Sequence, residues 1–134
     1  MTYFDSSALV KRYILEDEHA QVAEALRATP RAVTSVVSIV EVRRVIAMVE
    51  SAAERAMAQA AFLHELDSFH LVGLNGETVS EAALIAENTS LRSLDSIHLA
   101  SARRVGEEEI VSFDRRQRSV ASDLGMRVLP AEHD

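Results

Sequence analysis

Residues 1–10 read MTYFDSSALV, and this stretch contains the strand-then-helix pattern that recurs along the whole sequence. A short strand pattern, Thr2–Phe4, is followed at once by an acid, two small hydroxyl residues and the beginning of a helix pattern. Asp5 suits the N-cap position of that helix, because its side chain can accept a hydrogen bond from the first unpaired amides. It could equally be one wall of a functional site, and this stretch alone leaves both interpretations open.

The same alternation of short strands and longer helices continues along the chain. After the first strand, strand patterns cover Ala32–Thr34, Phe69–Leu74, Ile110–Phe113 and Arg127–Leu129. Helix patterns cover Ser7–Ile14, His19–Ala28, the segment that follows Ser35, Ala52–Leu66, Val79–Asn88, Leu94–Val105 and Arg115–Leu124. Five strands separated by helices predict an α/β fold with a mostly parallel five-stranded sheet and helices on both of its faces. The length of 134 residues predicts a single domain over 1–134.

Two acids follow predicted strands directly. Asp5 comes after the first strand, and Asp114 comes after the fourth, within VSFDRR (111–116). In parallel sheets, functional sites form outside the carboxyl ends of the strands. We therefore expect both side chains to emerge at the same edge of the sheet.

Two further acids lie in predicted helices. Glu41 shares a helix face with apolar residues, so its carboxylate needs a partner or a bound cation. A capping box from Ser38 to Glu41 is the alternative, although a helix that begins at Thr34 or Ser35 places Glu41 well inside it. Asp95 opens a later helix, where capping or the helix dipole would explain it equally well.

If the four acids converge, their chemistry indicates a hard cation. Carboxylates held close together cannot all remain ionised without positive charge nearby. The chain contains no cysteine and no cluster of histidines, so such a set would select Mg²⁺ or Mn²⁺ over Zn²⁺. These ions activate water and stabilise the in-line displacement of phosphoryl transfer.

Charge and composition narrow the classes of protein. The chain has 14 basic and 21 acidic residues and a net charge of −7, which argues against a non-specific nucleic-acid binder. All but one of the basic residues are arginine, whose planar guanidinium suits phosphate recognition. The lack of cysteine, of a long apolar run and of a signal-peptide pattern predicts a cytoplasmic protein that does not contact the membrane.

Four stretches of the chain resemble the motifs of the PIN-domain ribonucleases, and more closely those of the VapC-type toxins of bacterial toxin–antitoxin pairs. They are FDSSALVKRYILED (4–17), SIVEV (38–42), LDSIHLASA (94–102) and IVSFDRR…LGMRVLP (110–130), and they span nearly the whole sequence. The resemblance implies a single-domain, three-layer α/β/α sandwich and a Mg²⁺-dependent endoribonuclease that cleaves RNA. It also implies a cognate antitoxin that blocks the site, and a homodimer.

The resemblance assigns four acids to catalysis and metal binding, namely Asp5, Glu41, Asp95 and Asp114. Asp5 and Asp95 are the firmest candidates for direct metal ligands, and Ser112 matches a hydroxyl position that accompanies the fourth acid. Some members of the family carry a further acid after that position. Here RRQR (115–118) follows instead, which leaves the number of metal ions, one or two, open.

Some residues near these acids keep two interpretations. His98 lies one helical turn after Asp95 and could be a ligand or a base. Helix histidines beside apolar neighbours are more often structural, so we leave His98 out of the predicted site. Arg115, Arg116 and Arg118 could bind RNA phosphates or form a solvated basic turn.

Two other functions are compatible with the pattern. A haloacid-dehalogenase-like phosphatase also places an Asp after its first strand, as the covalent nucleophile. That chemistry usually needs a second Asp two residues later, where this chain has Ser7. A non-catalytic interaction module on the same fold would use the acids only as helix caps, and it would neither bind metal nor cleave RNA.

Overall fold

The computed structural model describes residues 1–14 and 17–131. Residues 132–134 lie outside the described residues, as do Leu15 and Glu16, which belong to the motif FDSSALVKRYILED (4–17). The strands are β1 Thr2–Phe4, β2 Ala32–Ser35, β3 His70–Val72, β4 Glu109–Val111 and β5 Arg127–Leu129. The helices are α1 Ser6–Tyr13, α2 His19–Ala28, α3 Val37–Ile46, α4 Ala52–Leu66, α5 Gly76–Asn88, α6 Ser93–Arg104 and α7 Arg115–Asp123.

The five strands form one sheet in the order β3-β2-β1-β4-β5, and every neighbouring pair is parallel. β1 lies at the centre, where Tyr3 is opposite Val33 of β2 on one side and Ile110 of β4 on the other. The chain runs outward from β1 to β3, returns to β4 and then runs outward the other way to β5. The order therefore reverses between β1 and β4, and ligands of open α/β sheets bind at such a switch point.

Helices cover both faces of the sheet, which confirms the predicted α/β/α sandwich. Successive residues of β1 point to opposite faces, so Tyr3 enters one core and Phe4 enters the other. The core around Tyr3 takes its apolar residues from α5, α6 and α7. The core around Phe4 takes them from α1, α2, α3 and α4. The sheet is parallel throughout, rather than mostly parallel.

The first turn of α5 differs from the sequence-based prediction. The sequence pattern predicts a helix over Val79–Asn88, but α5 begins three residues earlier, at Gly76. The side chain of Asn75 is the N-cap, and its Oδ1 accepts from the backbone N–H and the hydroxyl of Thr78, each at 2.9 Å. Asn is among the best N-cap residues, so the helix begins directly after Asn75 rather than at Val79.

Two strands, β3 and β4, end earlier than predicted, whereas β2 extends one residue further, to Ser35. β3 spans His70–Val72 rather than Phe69–Leu74, and β4 ends at Val111 rather than Phe113. Asp114 is therefore not the first residue after the strand. The backbone N–H of Ser112 still donates to β5, at 3.1 Å from the Leu129 carbonyl oxygen, but the N–H of Phe113 turns away to the Ser7 hydroxyl. Across the described ranges, no helix is long and apolar enough to cross a membrane.

Candidate active site

All four predicted acids line one open cavity at the carboxyl edge of the sheet. The cavity has a volume of about 350 Å³ and lies beside the point where the strand order reverses between β1 and β4. Its lining consists of Asp5, Ser6, Ser7, Val10, Lys11, Glu41, Val45, Asp95 and Asp114. Residues far apart in the sequence thus meet where the fold predicts a site.

Asp5 is both a helix cap and the most deeply placed carboxylate of the cavity. Its Oδ1 accepts from the backbone N–H of Ala8 at 3.1 Å, which makes it the N-cap of α1. The same oxygen accepts from the Ser7 hydroxyl at 2.6 Å, and the residue is only 2% exposed. The two interpretations of Asp5 are therefore compatible, because capping fixes the carboxylate at the cavity wall.

Glu41 lies in the middle of α3, which rules out the capping-box interpretation. The helix begins at Val37, and the Ser38 hydroxyl lies 2.6 Å from that of Thr34 rather than capping the helix. Both carboxylate oxygens of Glu41 are bonded. The Ser6 hydroxyl donates to Oε2 at 3.0 Å, and Oε1 lies 2.7 Å from Nε2 of His98.

Asp95 and Asp114 occupy the more open side of the cavity. Asp95 lies in the first turn of α6, but the N-cap position belongs to Arg92, so Asp95 is not a capping residue. Asp114 is the N-cap of α7, and its Oδ1 accepts from the backbone N–H of Gln117 at 2.9 Å. Asp95 is half-buried and Asp114 is exposed, so both carboxylates are accessible from solvent.

The pKa of Asp5 is raised above its ordinary value, because burial disfavours the charged carboxylate. A positive charge on His98 would oppose this rise, as do hydrogen bonds from the Ser112 and Ser7 hydroxyls and from the Ala8 amide. Ser112 is fully buried beside the cap, where it also accepts from the N–H of Asp114 at 3.2 Å. The predicted hydroxyl position thus lies at the site and supports two of its acids.

The pKa of Asp95 is also raised. Burial is the largest cause, and the negative charges of Asp114, Asp5 and Glu41 add to it, while His98 acts in the opposite direction. Each of the other three acids therefore acts on Asp95 through its charge. Such mutual effects are expected of carboxylates that lie close together.

The donor set suits a hard divalent cation, although no ready-made metal site is present. Four carboxylates with the hydroxyls of Ser6 and Ser7 are oxygen donors of the kind that Mg²⁺ prefers. In residues 1–14 and 17–131, however, no group of three His, Asp or Glu side chains is close enough together to hold an ion as it stands. The chemistry of the residues fits Mg²⁺, and binding would require the carboxylates to approach one another.

His98 is the residue at the site that the sequence analysis set aside. It is fully buried, as a structural histidine should be, yet its Nε2 contacts Glu41 and its Nδ1 lies 2.7 Å from the Tyr3 hydroxyl. The spacing of His98 one turn after Asp95 was the only signal in the sequence. Tyr3 carried no signal, because a tyrosine in a short buried strand is explained by packing.

The three arginines that follow Asp114 differ in their surroundings. Arg115 and Arg116 are exposed in the first turn of α7. Arg118 instead turns back to the sheet, where its guanidinium donates to the carbonyl oxygens of Ser112 and Pro130 at 2.8 and 2.7 Å. It also donates to the carbonyl of Leu129 at 3.2 Å. Arg118 therefore fastens the ends of β4 and β5.

The chain is similar in sequence to known proteins of one family. A family model described as PIN domain matches residues 2–123. Ribonuclease VapC35 of Mycobacterium tuberculosis is 33% identical over 135 residues, which cover 96% of this chain and 96% of that protein.

Two solved structures have the same fold at low sequence identity. VapC20 of Mycobacterium tuberculosis, a Sarcin-Ricin loop cleaving toxin, matches with a TM-score of 0.76 and 14% identity, over 95% of this chain and 99% of that one. A toxin–antitoxin complex from Klebsiella pneumoniae matches with a TM-score of 0.70 and 18% identity, over 87% of this chain and 89% of that one. These matches do not favour a haloacid-dehalogenase-like phosphatase. The chain belongs to the PIN domain family, and its curated relatives there are VapC ribonucleases.

Proposed function

We propose that this protein is the toxin of a toxin–antitoxin pair and acts as a Mg²⁺-dependent endoribonuclease. The observation that carries the proposal is the convergence of Asp5, Glu41, Asp95 and Asp114 on one cavity at the carboxyl edge of the sheet. The raised pKa of Asp95 supports it, since the other three acids contribute to that rise through their charge. The relatedness to VapC ribonucleases supports RNA as the substrate.

In this proposal the four carboxylates hold Mg²⁺ or Mn²⁺. When bound, the ion supplies positive charge that activates water and stabilises the in-line displacement at the phosphodiester. Asp5 is fixed by its capping bond and by Ser7, and Glu41 is fixed by Ser6 and His98. Asp114 would be fixed by its capping bond from Gln117, whereas Asp95 is half-buried and does not cap its helix, so it would be freer to approach the ion.

Two exposed arginines, Arg115 and Arg116, supply a binding surface for RNA. They follow Asp114 directly in the sequence, and a guanidinium matches the geometry of phosphate oxygens. Since the protein carries a net charge of −7, a local positive patch is needed for a polyanion to approach the carboxylates.

An antitoxin protein, a homodimer and a cytoplasmic location complete the proposal. The solved toxin–antitoxin complex with this fold supports an antitoxin partner, and the family resemblance implies that the antitoxin blocks the site. The homodimer and the location rest on the family resemblance. Sedimentation of the purified chain, alone and with a candidate antitoxin encoded by the gene immediately upstream, measures both assemblies.

RNA cleavage at defined cation concentration tests the enzymatic part of the proposal. We expect cleavage that requires Mg²⁺ or Mn²⁺, stops in EDTA and leaves a 5′-phosphate, because activated water attacks in line. Full activity in excess EDTA, or a 2′,3′-cyclic phosphate product, would contradict the mechanism.

Growth of a bacterial host tests the toxin part. Expression of the wild-type chain should arrest growth, and co-expression of the antitoxin should restore it. The Asp5→Asn variant at matched protein level is the control and should be harmless. Unimpaired growth with the wild type at that level contradicts the toxin assignment in that host.

A further inference from the structure

A buried chain of polar contacts leads from the centre of the sheet to the cavity. The Tyr3 hydroxyl lies 2.7 Å from Nδ1 of His98, and Nε2 of His98 lies 2.7 Å from Oε1 of Glu41. Tyr3 and His98 are both fully buried, whereas the Glu41 side chain is 22% exposed. Of these three side chains, only that of Glu41, at the cavity wall, reaches solvent.

The donor and acceptor properties of these groups fix the direction of the hydrogen bonds. An ionised carboxylate can only accept, so Nε2 of His98 must carry the proton that is donated to Glu41. In a neutral imidazole the other nitrogen is then an acceptor. When His98 is neutral, the Tyr3 hydroxyl, which lies next to Nδ1, therefore donates to it.

The packing leaves His98 little freedom to adopt another orientation. Tyr3 lies in the central strand β1, and its ring meets that of His98 edge to face, with centroids 5.8 Å apart. His98 itself is held in α6 between Ile97 and the fully buried Leu99. A hydrogen bond from so rigid a base restricts the conformations of a glutamate that would otherwise move with solvent.

We propose that Tyr3 and His98 are positioning residues, and that together they hold the Glu41 carboxylate in its place at the cavity. Tyr3 does so by fixing the Nε2-protonated tautomer of His98, and His98 does so by donating to Glu41. The inference rests on the proposed function only in giving Glu41 a catalytic task. Outer-shell partners of this kind orient the ligands that touch the ion.

Nuclear magnetic resonance of the imidazole nitrogens tests the tautomer without any substrate or metal. In the metal-free wild type we expect Nε2 of His98 to be protonated and Nδ1 to be bare. Tyr3→Phe removes the donor to Nδ1, so we expect the alternative tautomer to become populated. Tyr13→Phe is the matched control, because the Tyr13 hydroxyl donates at 2.5 Å to a glutamate outside the cavity, Glu65. It should leave the His98 signals unchanged.

Kinetics separates positioning from a merely structural role. Loss of an outer-shell partner lowers metal affinity or activity by roughly 10- to 100-fold. For Tyr3→Phe we expect a fall of that size in kcat, or a rise of that size in the Mg²⁺ concentration for half-maximal rate, with the KM for RNA nearly unchanged. Tyr13→Phe should keep both values near those of the wild type.

A pair of variants at His98 covers the case in which Tyr3→Phe does not fold. His98→Gln keeps an N–H donor that can reach Glu41, whereas His98→Leu keeps none. We expect the glutamine variant to recover a substantial part of the activity that the leucine variant loses, and to require less Mg²⁺ than the leucine variant.

Two results would overturn the inference. One is an Nδ1-protonated or doubly protonated His98 in the wild type. The other applies when the wild type cleaves RNA. It is an equal cleavage rate and Mg²⁺ requirement for Tyr3→Phe and Tyr13→Phe, or for His98→Gln and His98→Leu. A wild type that binds no Mg²⁺ and cleaves no RNA contradicts the proposed function instead, while the tautomer measurement still decides the hydrogen-bond relay.

Discussion

The Ser7 hydroxyl lies 2.6 Å from Oδ1 of Asp5 and accepts the backbone N–H of Phe113 at 2.9 Å. This one side chain therefore connects the end of β1 with the segment that follows β4. Those are the two strands between which the strand order reverses. The backbone adds a second link, since the N–H of Asp5 donates to the Val111 carbonyl at 3.2 Å. The position of Asp5 at the cavity thus depends on both strands.

Replacing Ser7 by Ala should weaken both the site and the fold. The variant loses a short hydrogen bond to a carboxylate, so we expect RNA cleavage to fall by about 10- to 100-fold. Unfolding free energy should fall by about 1.5–3 kcal/mol, the range for a hydrogen bond to a charged group. Cleavage rates and urea unfolding measure the two effects.

The control is Ser68→Ala, which removes an exposed hydroxyl that donates to the Glu65 carbonyl at 2.6 Å, away from the cavity. It should leave cleavage unchanged. Equal activity of the two variants would show that Ser7 does not orient Asp5.

Asp5→Asn and Asp114→Asn separate capping from catalysis. Both residues are observed N-caps, and Asn caps a helix about as well as Asp, whereas loss of a cap to Ala costs about 0.5–2 kcal/mol. A neutral amide is a much poorer ligand for a hard cation. We therefore expect near-normal folding by circular dichroism and no RNA cleavage. Retained cleavage in both variants favours capping as the role of these two residues.

Arg118 should matter for stability, and Arg115 and Arg116 for RNA. Arg118→Ala leaves backbone carbonyls at the ends of β4 and β5 without their donor, so unfolding free energy should fall by about 1.5–3 kcal/mol. Arg115→Ala and Arg116→Ala should fold normally but bind RNA more weakly. Each should also reduce the slope of log affinity against log salt by about 0.7, as expected for one lost phosphate contact on a single strand. An unchanged slope would place the two arginines outside the RNA interface.

The strand–helix alternation made most of the fold predictable from the sequence. The limits of a strand follow from residues close to it in the sequence, as where the Asp5 cap follows Thr2–Phe4. The parallel order then brings Asp5 and Asp114 to one edge without any knowledge of side-chain contacts. Errors occurred where a side chain alters the backbone locally, as at Asn75, which starts α5 early, and at Phe113, whose N–H leaves the β ladder for Ser7.

The contacts that fix the acids in place could not be predicted in this way. His98 and Glu41 are 57 positions apart, and Tyr3 and His98 are 95 apart, so no periodicity connects them. A histidine on a burying helix face has the same pattern whether its nitrogens are satisfied by backbone or by a carboxylate. Only the packing of α3 and α6 against β1 distinguishes the two cases.

Stability of the metal-free protein should rise as pH falls through the raised pKa values of Asp5 and Asp95. The folded state raises the pKa of Asp5 and Asp95, so it binds more protons than the unfolded chain at a pH between the ordinary and the raised values. The resulting stability is fully present below the ordinary Asp pKa and is lost as pH rises through the raised values.

The opposite contribution sets the lower limit of this window. Burial alone would raise the pKa of Glu65, but hydrogen bonds from Arg12 and Tyr13 outweigh burial and lower it. The stability from Glu65 is therefore lost as pH falls through its lowered pKa. Urea unfolding in EDTA, from neutral to mildly acidic pH, should show a maximum below neutrality. A steady decline from neutral pH downward contradicts the raised values.

Asp95→Asn should raise the melting temperature of the metal-free protein at neutral pH. The substitution removes a charge that burial and three neighbouring carboxylates disfavour, whereas its interaction with the α6 dipole is worth only about 0.3–1 kcal/mol. Mg²⁺ should stabilise the wild type by mass action and stabilise the variant much less. Thermal melts of both proteins in EDTA and in millimolar Mg²⁺, at constant ionic strength, measure these differences.

Glu54→Gln is the matched control for Asp95→Asn. Glu54 is also the third residue of its helix, α4, but it lies outside the carboxylate cavity. Its loss should lower the melting temperature slightly, because only the favourable interaction with the helix dipole disappears. Its response to Mg²⁺ should equal that of the wild type. Two results together would contradict a metal site at Asp95. One is a melting temperature of Asp95→Asn in EDTA below that of the wild type, as expected for Glu54→Gln. The other is that Mg²⁺ changes the melting temperature of neither the wild type nor Asp95→Asn, and Asp95 is then a solvated first-turn acid.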